Sequence, residues 1–185
     1  LNDGEQLLVK VGISSVDLQG AKKNLKAEIA HWDFETARRE SKEAWNAELA
    51  KINVEGKEND KVIFYSALYH SMIAPNLFSD VDGRYRKMVR KDSIQHDSEI
   101  GQVKEDEIQY TIFSLWDTYR ATHPLYTIID EKRTNQFIRT FLRQYEDGGQ
   151  LPVWELSANY TGCMIGYHSA PVIADAFIKG IDNWN

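Results

Sequence analysis

The sequence predicts a mainly α fold with one short β-strand in front, and three observations carry that expectation. From Asp33 onward, apolar residues recur three and four positions apart over most of the chain. Leu7 to Val16 is instead rich in β-branched residues that alternate around Gly12. Gly148 to Ala176, with four glycines and two prolines, lacks periodicity yet is too apolar for disorder, so it reads as a binding loop between two helices.

A chain of 185 residues, 42% hydrophobic and 11% aromatic, is long enough for one ordinary domain with a real core. Its 22 basic and 28 acidic residues give a net charge of -6, which argues against a nucleic-acid partner. The single cysteine, Cys163, excludes an internal disulfide and a multi-cysteine zinc site. No apolar run approaches the ~20 residues of a membrane helix, and the opening LNDGEQLLVKVG has no signal-peptide pattern. Leu1 is no initiator and FIKGIDNWN stops just after a helical pattern, so both ends read as cut from something longer.

In chain order, Leu7 to Val16 is the expected strand, which needs a partner that the sequence does not identify. Leu18 to His31 carries Leu25 and Ile29 at helical spacing. Asp33 to Ile52 is the clearest helix, capped by Asp33, with Phe34, Ala37, Ser41, Trp45, Leu49 and Ile52 on one stripe and charges elsewhere. Lys61 to Ala74 is apolar nearly all round, which predicts a helix buried on most sides.

From Pro75 to about Gln109 the helical period is lost. Asp80, Asp82 and Gly83 resemble the opening of a calcium loop, but the downstream glutamate is not at the required spacing, so a turn before a hairpin strand is expected. His96 is expected exposed and without a role. Ile112, Leu115, Tyr119, Thr122, Tyr126 and Ile129 then predict one continuous core stripe, kinked or ended by Pro124. Thr134 to Tyr145 is a further amphipathic helix ended by Gly148 and Gly149, and Pro171 to Ile181 is the last.

Two Trp–acid pairs, Trp116 with Asp117 and Trp154 with Glu155, supply an aromatic platform beside a carboxylate, as sugar binding requires. The plainer reading is an i,i+3 surface pair between Asp117 and Arg120, with each tryptophan packed separately. No G-x-S-x-G, P-loop or dinucleotide fingerprint is present. Cys163 and His168 could be cast as nucleophile and base, but a lone cysteine beside Met164 and Ile165 is more often a buried hydrophobe.

The strings YTIFSLWDTYRATHPL (110–125), GGQLPVWEL (148–156) and CMIGYHSAPVIADAFIKGI (163–181) resemble glycoside hydrolase family 92, the calcium-dependent, inverting exo-α-mannosidases, many of them from gut Bacteroidetes. LYHSMIAPNLFSDVDGRYR (68–86) and VGISSVDLQGAKKNLKAE (11–28) are similar to the family too, so the resemblance covers almost the whole chain. It implies an N-terminal β-sandwich followed by an (α/α)6 toroid. Residues 1–17 would be the end of the sandwich, 18–60 linker helices and 61–185 the first part of the toroid.

On this resemblance Trp116 and Asp117 match a pair lining the sugar pocket, with Arg120 beside them, and Trp154, Glu155 and His168 match a second pocket-facing segment. Asn159-Tyr160-Thr161 stands where the family commonly reads N-E-T, a departure that puts one polar pocket contact of the family, and with it linkage preference, in doubt. The family's E-G-N-x-W-Q and G-N-D-D-x-G segments, which carry its general acid and base, do not occur in these residues. The expectation is an inactive internal fragment of a periplasmic or secreted bacterial α-mannosidase, of α-1,2 preference. It would take a mannose-containing glycan, most Ca2+ ligands would lie elsewhere in the parent, and the fragment would tend to self-associate. The rival reading is a non-catalytic helical carbohydrate-binding or protein-interaction module.

Overall fold

The computed structural model describes residues 4–89 and 99–184; His96 and the end of the charged run Arg84 to Asp92 lie outside them. Seven helices and seven short strands follow one another among the described residues, so the chain is mainly helical. They are α1 (Leu18–Glu28), α2 (Phe34–Leu49), α3 (Glu58–Ser71), β1 (Asn76–Leu77), β2 (Arg84–Arg86), β3 (Ile100–Gln102), β4 (Tyr110–Thr111) and β5 (Phe113–Ser114). Then come α4 (Leu115–Thr118), α5 (Thr122–Ile129), α6 (Glu131–Gly148), β6 (Trp154–Leu156), β7 (Asn159–Tyr160) and α7 (Ser169–Ile178). All strand pairs are antiparallel: β1 with β4, β2 with β3, and β5–β6–β7 in one small sheet.

The core is built on α6, whose apolar face recurs at helical spacing through Phe137, Ile138 and Phe141, all at most 1% exposed. Asp130 opens this helix by accepting the Arg133 N–H at 2.9 Å. Gly149, at φ 83°, closes it in the left-handed conformation that glycine adopts without strain. Tyr110, Phe113 and Tyr126 pack edge-on against Phe137 with ring centroids 4.9, 5.7 and 5.4 Å away. Val172 and Ala176 of α7 complete the cluster.

The other cap reading holds: Asp33 accepts from the Thr36 N–H at 3.1 Å and so starts α2. That helix has no buried residue. Trp45 meets Tyr69 of α3 at 4.5 Å, and Glu48 takes a two-pronged bond from the Arg133 guanidinium, both arms 3.0 Å. Lys51 adds ion pairs to Glu48 and Asp130, tying α2 to the start of α6 by charge.

Asp80 is the fixed point of the N-terminal part. Its carboxylate, 4% exposed as a residue, accepts from Ser14 Oγ and Asn24 Nδ2, both at 2.8 Å. Gly20 of α1 passes so close that a Cβ there would stand 2.1 Å from Asp80 Oδ2. The Gly83 N–H closes the turn onto the Asp80 carbonyl at 2.8 Å, and β2 follows, as the hairpin reading requires.

Three expectations are corrected. Leu7 to Val16 forms no strand: no ladder partner is present among the described residues, and Leu7, Val9, Val11 and Ile13 are all exposed. The helix at 61–74 is observed as α3, but only Leu68 is buried, and Val62 and Ile63 lie open at 56% and 61%. The continuous helix expected from Gln109 is broken: β4, Ile112 at φ 65° and β5 come first, and helix begins only at Leu115. The break has a remote cause, because the buried Glu155 carboxylate takes the Ile112 N–H that a helix would have used. Pro124 then sits in the first turn of α5, where its missing N–H is harmless.

Candidate functional site

Strand β5 feeds directly into α4, and β6 lies beside it with Ser114 opposite Trp154 and Phe113 opposite Glu155. The Leu115 N–H extends the pairing to the Val153 carbonyl at 3.0 Å. Side chains alternate across this sheet. Phe113, Leu115 and Glu155 point to the core and are at most 1% exposed, which leaves Trp116 and Asp117 exposed and Trp154 half-buried.

On the open side, the Ser114 hydroxyl donates to Asp117 Oδ2 at 2.6 Å. The i,i+3 ion pair between Asp117 and Arg120 is not formed. Arg120 instead lies over two rings, its Cζ 5.6 Å from the centre of Trp116 and 5.9 Å from that of Tyr119. Tyr119 in turn meets His168, ring centres 4.6 Å apart and planes tilted by 47°. Gly166, at φ 98°, makes room for that histidine, since a Cβ there would stand 2.4 Å from His168 Cε1. His168 Nδ1 is buried without a hydrogen-bond partner among the described residues.

Five of the six residues singled out from the sequence thus fall into two adjoining groups: Trp116 and Arg120 with His168 through Tyr119, and Asp117 with Trp154 through Ser114, the two groups meeting at the Trp116–Asp117 peptide. Tyr119, expected in the core stripe, packs against the core cluster, and its ring also bridges Arg120 and His168. Glu155 is not on this face. Its carboxylate is fully buried and accepts from Thr111 Oγ1 at 2.8 Å, Ala158 N–H at 2.7 Å and Ile112 N–H at 3.1 Å. Burial pushes this carboxyl above the usual range, and those hydrogen bonds pull it back only in part. Cys163 is exposed, with Met164 and Ile165 at 49% and 83% beside it, so the buried-hydrophobe reading does not hold.

Aromatic faces beside one acceptor carboxylate, one guanidinium and one imidazole suit a neutral ligand with C–H faces and many hydroxyls. The face is open. A cavity of about 1170 Å³ lies behind the sheet, between residues 11–15, α1 and the loops 76–83 and 102–108, and includes none of these five side chains. No three His, Cys, Asp or Glu side chains among the described residues are grouped so as to hold a metal ion. No helix among the described residues is long and apolar enough to cross a membrane.

Residues 20–185 match the model of the glycosyl hydrolase family 92 catalytic domain. Among solved structures, the chain is similar to the family GH92 α-mannosidase BT3965 from Bacteroides thetaiotaomicron, with 32% identity and a TM-score of 0.84 over 93% of this chain and 22% of that one. The same values hold for that enzyme in complex with mannoimidazole. The family GH92 inverting mannosidase BT2199 from Bacteroides thetaiotaomicron VPI-5482 matches at 28% identity, with a TM-score of 0.81 over 93% of this chain and 22% of that one. The chain therefore spans about a fifth of the length of these structures. A search of the curated proteins gave no match.

Proposed function

The chain belongs to glycosyl hydrolase family 92, and from that membership we propose that it forms part of the sugar-binding surface of an inverting exo-α-mannosidase of α-1,2 preference. The observation that supports this most is the linked face of Trp116, Asp117, Arg120, Trp154 and His168. A pyranose would lay its C–H face on a tryptophan while Asp117 accepts from its hydroxyls, Arg120 donates at the rim and His168 donates or accepts there. The parent is proposed as a periplasmic or secreted bacterial protein.

Inversion needs a protonated carboxyl at the leaving oxygen and an ionised one that activates water on the opposite face, the two about 6.5–9.5 Å apart. Glu155 cannot be one of them, because its oxygens are enclosed by three donors and reach no solvent. Asp117 is left without a partner acid on the face, so the general acid and base, and the calcium ligands, are assigned to segments outside this chain. We assign residues 18–60 to linker helices and 61–185 to the first part of an (α/α)6 toroid. Residues 1–17, whose Leu7, Leu8, Val9, Val11 and Ile13 are exposed, are assigned to the end of a β-sandwich.

The test is titration of the purified chain with mannoimidazole and with D-mannose, read by tryptophan fluorescence. Saturable quenching that Trp116→Ala and Asp117→Ala each weaken at least tenfold is expected. Equal response in the variants, or the same response to D-galactose, would refute the sugar face.

A further inference from the structure

Five non-glycine residues among the described ones hold positive φ; Asp106 and Met164 lie elsewhere, while Ile112, Ser157 and Ala158, at φ 65°, 50° and 64°, share one neighbourhood. For a β-branched residue such as Ile112 this is a true outlier. Ser157 and Ala158 are the two central residues of the β6–β7 hairpin, where Leu156 pairs with Asn159. Such a two-residue turn normally carries Asn-Gly, because both positions need positive φ. Here neither residue favours it.

All three strained N–H groups end on one pair of side chains. Ile112 donates to Glu155 Oε2 at 3.1 Å and Ala158 to Oε1 at 2.7 Å, Ser157 donates to Thr111 Oγ1 at 2.7 Å, and that hydroxyl donates to Glu155 Oε1 at 2.8 Å. Thr111 and Glu155 are 4% and 0% exposed, so water does not compete. Strain of this kind persists only where the surroundings over-determine it.

We infer that Glu155, with Thr111, is a positioning residue: a buried clamp that holds three left-handed residues and so fixes Trp154 against the Ser114–Asp117 corner. The inference rests on reading that corner as the sugar face. The clamp works from behind, since Glu155 and Trp154 are strand neighbours on opposite sides of the sheet. The carboxylate supplies two acceptor oxygens to three converging donors. Glutamine of the same shape has one acceptor and turns an NH2 group toward the donors.

The experiment uses the 185-residue chain and three changes: Glu155→Gln, Thr111→Val, and the pair Ser157→Asn with Ala158→Gly, which makes the turn favour its own conformation. Amide hydrogen exchange at Ile112 and at positions 157 and 158 is followed by NMR, together with the Trp154 indole signal assigned through Trp154→Phe. Glu155→Gln is expected to speed exchange at these sites by about tenfold or more and to shift the indole signal. Adding the turn pair is expected to restore the indole and the exchange at positions 157 and 158. Unchanged exchange in Glu155→Gln overturns the clamp, and so does a turn pair that restores nothing, which would leave Glu155 a packing residue only. If Glu155→Gln does not fold, Thr111→Val decides by the same two readouts, with Thr111→Ser expected to behave as the natural chain. Mannose added to the natural chain separates the two readings: no change at the Trp116 or Trp154 indole counts against the sugar face, while exchange and the unliganded indole still judge the clamp.

Discussion

Ser114 holds Asp117: its hydroxyl donates at 2.6 Å to the carboxylate three residues ahead, while its backbone is pinned opposite Trp154. The carboxylate is thereby aimed before any ligand arrives. Ser114→Ala removes one hydrogen bond at a half-buried position and leaves the strand pairing intact. The expected outcome is about fivefold weaker mannoimidazole binding with the thermal midpoint nearly unchanged. Titration beside a thermal melt checks it, and a large loss of stability would mean that the bond serves the fold instead.

Gly149 and Gly166 both hold positive φ but predict different outcomes. A Cβ at Gly149 meets nothing within 4 Å, so Gly149→Ala tests strain alone and should cost about 1 kcal/mol in urea unfolding, with binding preserved. A Cβ at Gly166 runs into the His168 ring, so Gly166→Ala should displace His168 from Tyr119 and weaken binding. Binding lost in the first variant and kept in the second would contradict the geometry.

Acid should loosen the link between α2 and α6. Burial opposes ionisation of Glu48 and Asp130, and hydrogen bonds from Arg133 and Lys51 overcome it, so both carboxyls fall below their ordinary values of 4.5 and 3.8. With folded values depressed, the stabilisation is fully present above about pH 4.5 and disappears as pH falls through the folded values. The expected loss is on the order of 1 kcal/mol in urea midpoints between pH 6 and pH 3. Arg133→Met should flatten that dependence; a slope unchanged in the variant places the acid sensitivity elsewhere.

The chain alone should not turn over an aryl α-mannoside or a mannobioside, with calcium or with chelator. We assign the acid–base pair to segments outside this chain, and at this site one exposed carboxylate and one sealed carboxylate cannot perform inversion. Calcium-dependent turnover abolished by Asp117→Asn would show that the catalytic pair lies here after all.

Self-association is expected at concentrations of tens of micromolar. Ile128 of α5 and Phe177 and Ile178 of α7 stand open at 80%, 64% and 83% on two helices that pack together. Sedimentation velocity should show concentration-dependent mass, reduced by Ile128→Lys with Ile178→Lys. A monomer throughout the series would refute it.

Much of the fold was legible locally. The Asp33 cap, the apolar stripe of α6, the Gly149 stop and the Asp80–Gly83 turn each follow from a few neighbouring residues. What was not legible depends on distance along the chain. The pattern Ile112, Leu115, Tyr119, Thr122 fits a helix, and it is broken by partners remote in the chain: the ladders to β1 and β6 and a carboxylate 43 residues away. The apolar surround of α3 signals burial, yet none of the described residues covers Val62 or Ile63. Trp154 and Glu155 look like one functional pair because they adjoin, whereas a strand sends neighbours to opposite faces. Tyr119 at core spacing signals core, which it joins, but nothing local signals that its other side meets His168.

Gly20 lies where Asp80 leaves no room for a β-carbon, and the same carboxylate is held by Ser14 and Asn24. A larger residue at position 20 would push out the carboxylate, and loss of the carboxylate would strand the hydroxyl and the amide. None of the four positions can drift alone without leaving a clash or an unmet hydrogen bond. Through an evolving lineage they should therefore change as a set or stay fixed, so that substitution at 14, 20, 24 or 80 is a marker of compensation at the other three.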